Sequence, residues 1–477
     1  MHKQAKEVIM LVFLHRHNSL GVLKQAILLG MIGFGLVSCT QPAPVVVTIV
    51  PITVGPMVVT VEIPFEVTRE ATRQIIVTQE VTREVTRQII ATREVEVTRL
   101  VPVTVTPQPT STPIPTPTPL PSPLPTFGAQ TSAYAGQWSS AGSMAMARGF
   151  HTATALRDGR VLIVGGYTAL DTDTASAEIF DPSTHTFSLT GSLNTARHGH
   201  SATLLPDGRV LVVAGYGSRA WLSSAEIYDP ATGQWSITQP IFAHGVVHTA
   251  TLLKDGRVLV MGGAKQSGPS GPDDRVEIFD PKTNRWQKAA LHENTSGCHT
   301  ATLLPDGRVL VAEGYADPAI YDPARDTWQP TGKPAVRRSA SRAVLLQDGR
   351  VLLTGGYLSQ DGENVFINSV EVYDLASNAW QQATPLAQAR FNHTATLLPD
   401  GRALIVGGWK SIDYYENSVL DTAEVYDGKS ATWSMLAPLH IGRVAHTATL
   451  LPDGRILVTG GQISRGSYLN SAEILGR

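Results

Sequence analysis

The sequence predicts an all-β protein, a seven-bladed β-propeller whose N-terminal strand closes the ring, and three observations carry that prediction. A sixteen-residue hairpin, best seen as HTATLLPDGRALIVGG from His393 to Gly408, recurs seven times. Its Asp-Gly turns fall at Asp158, Asp207, Asp255, Asp306, Asp348, Asp400 and Asp453, spaced 49, 48, 51, 42, 52 and 53 residues apart. A second hairpin, typified by SAEIYDPATGQW from Ser224 to Trp235, lies between the copies.

Within the first hairpin, HTATLL alternates small polar and apolar residues as a strand does. Pro399-Asp400-Gly401 is a tight-turn signature, with Pro fixing φ and Gly accepting a positive φ. The return strand RALIVGG is nearly all apolar, as expected when both faces are covered. The second hairpin runs from a strand through an Asp-Pro turn into a strand ending on an aromatic residue. Those aromatics are Trp138, Phe187, Trp235, Trp286, Trp328, Trp380 and Trp433. Each period therefore holds four short antiparallel strands. A lone hairpin is marginal in water, so the copies must stack.

The segment DG-R-V-L-V-x-GG, an aromatic such as Tyr167 or Tyr216, then YDP and a terminal Trp resembles the kelch repeat of galactose-oxidase-like propellers, over about residues 134–477. The last hairpin, His446 to Gly461, is followed by SAEILGR alone, and AGQW at Ala135 to Trp138 precedes any hairpin. Joining these ends makes seven complete blades and removes an open sheet edge.

Residues 1–38 read as an export signal. Lys24, the apolar run AILLGMIGFGLVS and small residues before Cys39 fit that reading, although an apolar patch at Val8 to Leu14 leaves the start site open. The LVSC ending resembles a bacterial lipobox, which implies lipidation of Cys39 and a membrane-anchored, extracytoplasmic lipoprotein. Cys298 is then unpaired. Residues 39–106 are rich in Val, Thr, Arg and Glu and repeat at fourteen residues, REATRQIIVT at Arg69 and REVTRQIIAT at Arg83. Two heptads suit a coiled coil, whereas Val, Ile and Thr favour extended backbone, and both readings stay open. Residues 107–126 are proline-rich and form a semi-rigid linker reaching roughly 60 Å. The formal net charge of −2 implies no nucleic-acid partner.

Residues repeated in every blade most economically build the blade. The Arg after each Asp-Gly turn and the strand-three glutamates Glu178, Glu226, Glu277, Glu371, Glu424 and Glu473 are read as scaffold, the glutamates pairing with basic groups at blade edges. His151, His200, His248, His299, His393 and His446, with Ser341 in blade 5, sit at one register and are expected to pack between blades. One histidine per blade around a wide ring cannot converge on a metal ion, and no metal or cofactor is implied. Arg148, Arg197, Arg338, Arg390 and Arg443 are expected to rim the channel mouth on the loop face, with the alternative that each is held by its own blade's acidic residues. In protein-binding kelch domains arginines in similar R-x-G settings contact acidic ligands, a resemblance that fits Arg197 best. The longest variable loops follow Gly263, Gly356 and Gly408, and Trp409, Tyr414 and Tyr415 suggest an aromatic platform for a sugar or peptide. Cys298 beside His299 has no visible acid partner and reads as a small packed residue.

The function expected is a lipid-anchored binding module, monomeric, recognising an unidentified protein or glycan without catalysis. The alternative is a carbohydrate-active enzyme resembling galactose oxidase or a sugar-acid mutarotase. A copper oxidase of that kind needs a cysteine crosslinked to a tyrosine, and Cys298 has no assignable partner. Its C-terminal domain also supplies a ligand, whereas this chain ends inside its last blade.

Overall fold

The computed structural model describes residues 47–48, 60–61, 136–168, 172–241, 245–263, 275–292, 298–312, 317–360, 363–411 and 418–476. The chain divides into two compact units, Arg16–Ser122 and a larger unit of Met1–His15 and Pro123–Arg477. In the smaller unit Val47–Thr48 pairs antiparallel with Thr60–Val61. The signal, Cys39, the proline-rich linker and the rest of the stalk lie outside the described residues.

Among the described residues the larger unit holds seven four-stranded antiparallel sheets. In blade 1 the strands are Thr152–Ala155, Val161–Val164, Ala177–Asp181 and Thr186–Thr190, bonded in that order. The innermost strands pack in a closed circuit, with Thr447–Leu450 of blade 7 against Thr152–Ala155. Blade 7 takes its outer strand from the N-terminal side, where Trp138 faces Leu475 and Ser143 faces Ser471. The ring is thus latched as the sequence predicts.

Chemistry explains the strand order. Every second strand, such as VLIV at Val161–Val164, is buried along its whole length. It lies between a channel-side neighbour and the third strand and packs against a blade on each face. At the turn, Gly159 takes φ +88°, a conformation costly for any side chain. Asp158 Oδ1 accepts the Arg160 amide, and Asp158 Oδ2 holds the Arg160 guanidinium.

Three devices cross the seams between blades. Blade-end tryptophans donate indole N–H to the preceding blade: Trp235 to Gly191 O at 2.6 Å, Trp328 to Ala290 O at 2.8 Å, Trp433 to Thr384 O at 2.7 Å and Trp138 to Ala437 O at 3.0 Å. Turn arginines reach forward to the next blade, Arg350 to Gly428 O and Arg455 to Pro182 O, both at 2.8 Å. The strand-one histidines, each under 9 % exposed, bond hydroxyls of the preceding blade. Thr152 with His200 at 2.9 Å and Ser201 with His248 at 2.8 Å are examples. Interblade packing of the histidines is therefore observed directly.

The seam between blades 4 and 5 lacks all three among the described residues. Ser341 replaces the histidine, and its buried hydroxyl has no partner. The Trp380 indole N–H is likewise buried and unpartnered. Arg308 stays on Asp306 and Gln329 of its own blade. Five buried residues, Leu304, Leu310, Ile320, Val351 and Tyr373, form the apolar cluster there, against nine or ten at each other seam.

A belt of main-chain bonds runs around most of the loop-face end of the channel. The residue before each strand-one histidine or Ser341 has positive φ: Phe150, Gly199, Val247, Cys298, Ala340, Asn392 and Ala445. In five of the seven its N–H donates to the matching carbonyl one blade back: Phe150 to Ala445 O and Gly199 to Phe150 O, both at 2.9 Å, Cys298 to Val247 O, Ala340 to Cys298 O and Asn392 to Ala340 O. Cys298 is one link of this belt, its sulfur half-buried against an apolar cluster around Phe391.

Candidate functional site at the channel mouth

The loop face is built from the repeated arginines, but they do not form its surface. Arg148, Arg197, Arg338, Arg390 and Arg443 are 0–2 % exposed. Each guanidinium meets the strand-three glutamate of its own blade: Arg148–Glu178 at 2.7 Å, Arg197–Glu226 at 2.8 Å, Arg338–Glu371 and Arg443–Glu473 at 2.5 Å, and Arg390–Glu424. In Arg197 all five N–H donors are used, on the carbonyls of Thr195, Ala214 and Ser224, the Ser224 hydroxyl and Glu226. Burial pulls the pKa of Arg148, Arg197, Arg390 and Arg443 down and the paired carboxylate opposes it. The expectation that these arginines rim the mouth as ligand contacts is corrected accordingly. The alternative, that each is held by its own blade, is what the structure contains. Blade 4, with Ser296 and Ala319 at these two positions, lacks both partners.

The buried pair does determine what faces the mouth. By gripping the carbonyl of the residue at the first Gly-Gly position, such as Ala214, Arg197 fixes the chain on both sides of a small bridge. One side is the residue after the arginine, the other the residue after the Gly-Gly position. The bridges are Gly149–Tyr167, His198–Tyr216, Ser339–Tyr357, Phe391–Trp409 and Val444–Gln462. Side chains at these positions vary from blade to blade, and they form the mouth.

A cavity of about 700 Å³ opens there. Blade 1 contributes Phe150 and Tyr167, blade 2 His198, Tyr216 and Trp221, and blade 7 Gln462, Arg465 and Tyr468. Val246 and Trp409 line the far side. The rings run in sequence around one wall. Tyr468 to Tyr167 is 6.0 Å between centroids, Tyr167 to His198 5.0 Å, His198 to Tyr216 5.5 Å and Tyr216 to Trp221 5.1 Å. His198 Nδ1 bonds Asp173 Oδ1 at 2.5 Å, which fixes the ring and leaves Nε2 as its other nitrogen. Two hairpins flank blade 1. Tyr216–Gly217 pairs with Ala220–Trp221 through Ser218 and Arg219, both at positive φ. Gln462–Ser464 pairs with Ser467–Tyr468 through Arg465 and Gly466.

Of the residues predicted as an aromatic platform, Trp409 does line the cavity, but it is 5 % exposed and packed with Ala340, Phe391 and Val444. It is a wall member rather than an open platform, because the short loop bridge to Phe391 folds its ring onto the apolar cluster. Tyr414 and Tyr415 lie outside the described residues. The loop after Gly356 is a hairpin, Tyr357–Gln360 with Glu363–Phe366. Sequence reasoning missed Phe150, His198, Trp221, Gln462, Arg465 and Tyr468. The available signal was the aromatic after the Gly-Gly pair at Tyr167 and Tyr216, read only as a repeat motif. Among the described residues no group of three or more His, Cys, Asp or Glu side chains is placed to hold a metal ion.

Comparison with known proteins fits this architecture. The KLHDC2/KLHL20/DRC7 Kelch-repeats domain matches residues 247–461, and the Kelch motif matches residues 148–194 and 196–240. The Kelch-like protein terF of Aspergillus terreus is 29 % identical over 106 residues, 22 % of this chain and 23 % of that protein. A galactose oxidase of Gibberella zeae is 39 % identical over 75 residues, 15 % of this chain and 11 % of the enzyme. Human Kelch-like protein 15 is 30 % identical over 99 residues, 20 % of this chain and 16 % of that protein. The matches thus span less than a quarter of these relatives' lengths. A solved structure described as a novel fungal alcohol oxidase of the AA5 family, in complex with copper, superposes with a TM-score of 0.60 at 19 % identity. It covers 72 % of this chain and 76 % of that one, a likeness of fold. Repeats, closed ring and these likenesses together make residues 136–476 a seven-bladed β-propeller of the kelch type.

Proposed function

We propose that this chain is a binding module, tethered outside the cytoplasm by lipid on Cys39, that recognises a protein or carbohydrate ligand in the mouth of its propeller. The observation that carries this reading is the aromatic-lined cavity. Repeated polar residues are consumed inside the scaffold, whereas the variable ones converge on a concavity of ligand size. The LVSC ending before Cys39 supports the tether. Screening the purified chain on glycan and peptide arrays tests the site. Trp221→Ala and Tyr468→Ala are expected to weaken capture at least tenfold with unchanged thermal stability, and retention by both variants would place binding elsewhere. Release of Cys39→Ala from the membrane fraction is the expected outcome for the tether.

The His198–Asp173 pair favours a second reading, a carbohydrate-active enzyme on the same cavity, similar to a sugar-acid mutarotase. An imidazole held at Nδ1 can exchange a proton at Nε2, as interconversion of sugar anomers requires. The lining residues do not fit the copper centre of a galactose-oxidase-like enzyme. Among the described residues no cysteine lines the cavity to crosslink a tyrosine, and the one lining imidazole already gives Nδ1 to Asp173. Anomer exchange followed by NMR, abolished in His198→Asn, would favour catalysis over binding alone.

A further inference from the structure

We infer that the ligand of this cavity is an acidic sugar, a pyranose carrying a carboxylate or sulfate, with its ring against the aromatic wall and its anion on Arg465. This rests on the cavity being the binding site. Charge is the first argument. Among the described residues the lining holds one guanidinium and one imidazole and no carboxylate. Nearby Asp173 is already engaged by His198. The five buried mouth arginines are neutralised by glutamates, whereas Arg465 is exposed at its hairpin tip with no ion-pair partner among the described residues. An aromatic cup with one uncompensated cation therefore attracts a single negative group, and a guanidinium grips a carboxylate or sulfate through paired donors.

The remaining groups decide between a sugar and an acidic peptide. Beside the cation, the cavity is lined by Gln462, the His198 imidazole and six aromatic residues. Polar groups interleaved with ring surfaces suit a ligand that alternates hydroxyls with C–H faces. An acidic peptide would bring one or two carboxylates and would set its main-chain amides against ring surfaces that offer them few hydrogen bonds.

The test is calorimetry of the full chain with glucuronic acid, galactose 6-sulfate, glucose, galactose and a short Glu-rich peptide as probes. Expected are at least tenfold tighter binding of an acidic sugar than of its neutral counterpart and no measurable binding of the peptide. Arg465→Gln should reduce the acidic preference to twofold or less. Equal affinity for acidic and neutral sugars, an unchanged preference in Arg465→Gln, or selective binding of the peptide each overturns the inference while leaving the cavity as the site. Loss of no ligand in Trp221→Ala and Tyr468→Ala overturns the underlying reading instead. The carboxylate and sulfate probes separate the two sources of the anion.

Discussion

Glu226 receives Arg197 on one oxygen and the main-chain N–H of Asn194 on the other, so one carboxylate ties the incoming link of blade 2 to its third strand. Removing it leaves a guanidinium buried without its counter-charge. Glu226→Ala is expected to destabilise the propeller by about 3–5 kcal/mol, read from urea denaturation. Replacing both residues with apolar ones, as in Arg197→Met with Glu226→Leu, should recover much of that loss. The strand-one histidines make a different residue-scale prediction. Burial first, then the Arg148 and Arg443 charges, push His151 down to about 3. His200, His393 and His446 are also held well below their ordinary value. The unfolded imidazole takes a proton below its ordinary 6.5, and the folded one does not until about 3. Stability is therefore complete above pH 6.5 and declines as pH falls through that interval. His151 alone should cost about 2 kcal/mol between pH 7 and pH 5. A pH series of denaturation midpoints, with His151→Gln flattening the slope, checks this.

Among the elements, the strand Trp138–Ser143 has the most consequence per residue. It comes before the seven hairpins in sequence yet completes the last blade, and Trp138 packs with Leu439, Ile456 and Leu475. Trp138→Ala is expected to cost about 3–5 kcal/mol, from lost apolar burial, the cavity left behind and the Ala437 hydrogen bond. Strand order, turn chemistry and this closure were legible in sequence, because a seven-fold repeat averages over local ambiguity and the AGQW and SAEILGR fragments are complementary. The mouth was not legible to the same degree. The sequence allows each arginine either role, ligand contact or pairing within its own blade, and the folded blade decides for the strand-three glutamate about thirty positions later. His198 and Gln462 carry no motif of their own; they matter because Arg197 and Arg443 hold the neighbouring backbone.

Across the whole molecule, stability is uneven around the ring. The blade 4–5 seam lacks the histidine, tryptophan and turn-arginine bonds seen elsewhere, so separation of blades should begin there rather than at the N-terminal latch. Hydrogen exchange is expected to be fastest, among innermost strands, at Thr300–Leu303 and Arg342–Leu345. Ser341→His would meet Thr300 as His200 meets Thr152. It should slow that exchange and raise stability by about 1 kcal/mol.

The belt of main-chain bonds at the channel end is written in peptide groups alone. Phenylalanine, glycine, valine, cysteine, alanine and asparagine all occupy it. Such a collar is indifferent to what it displays. New specificities can be painted onto this opening by changing side chains, while the hoop underneath keeps its shape.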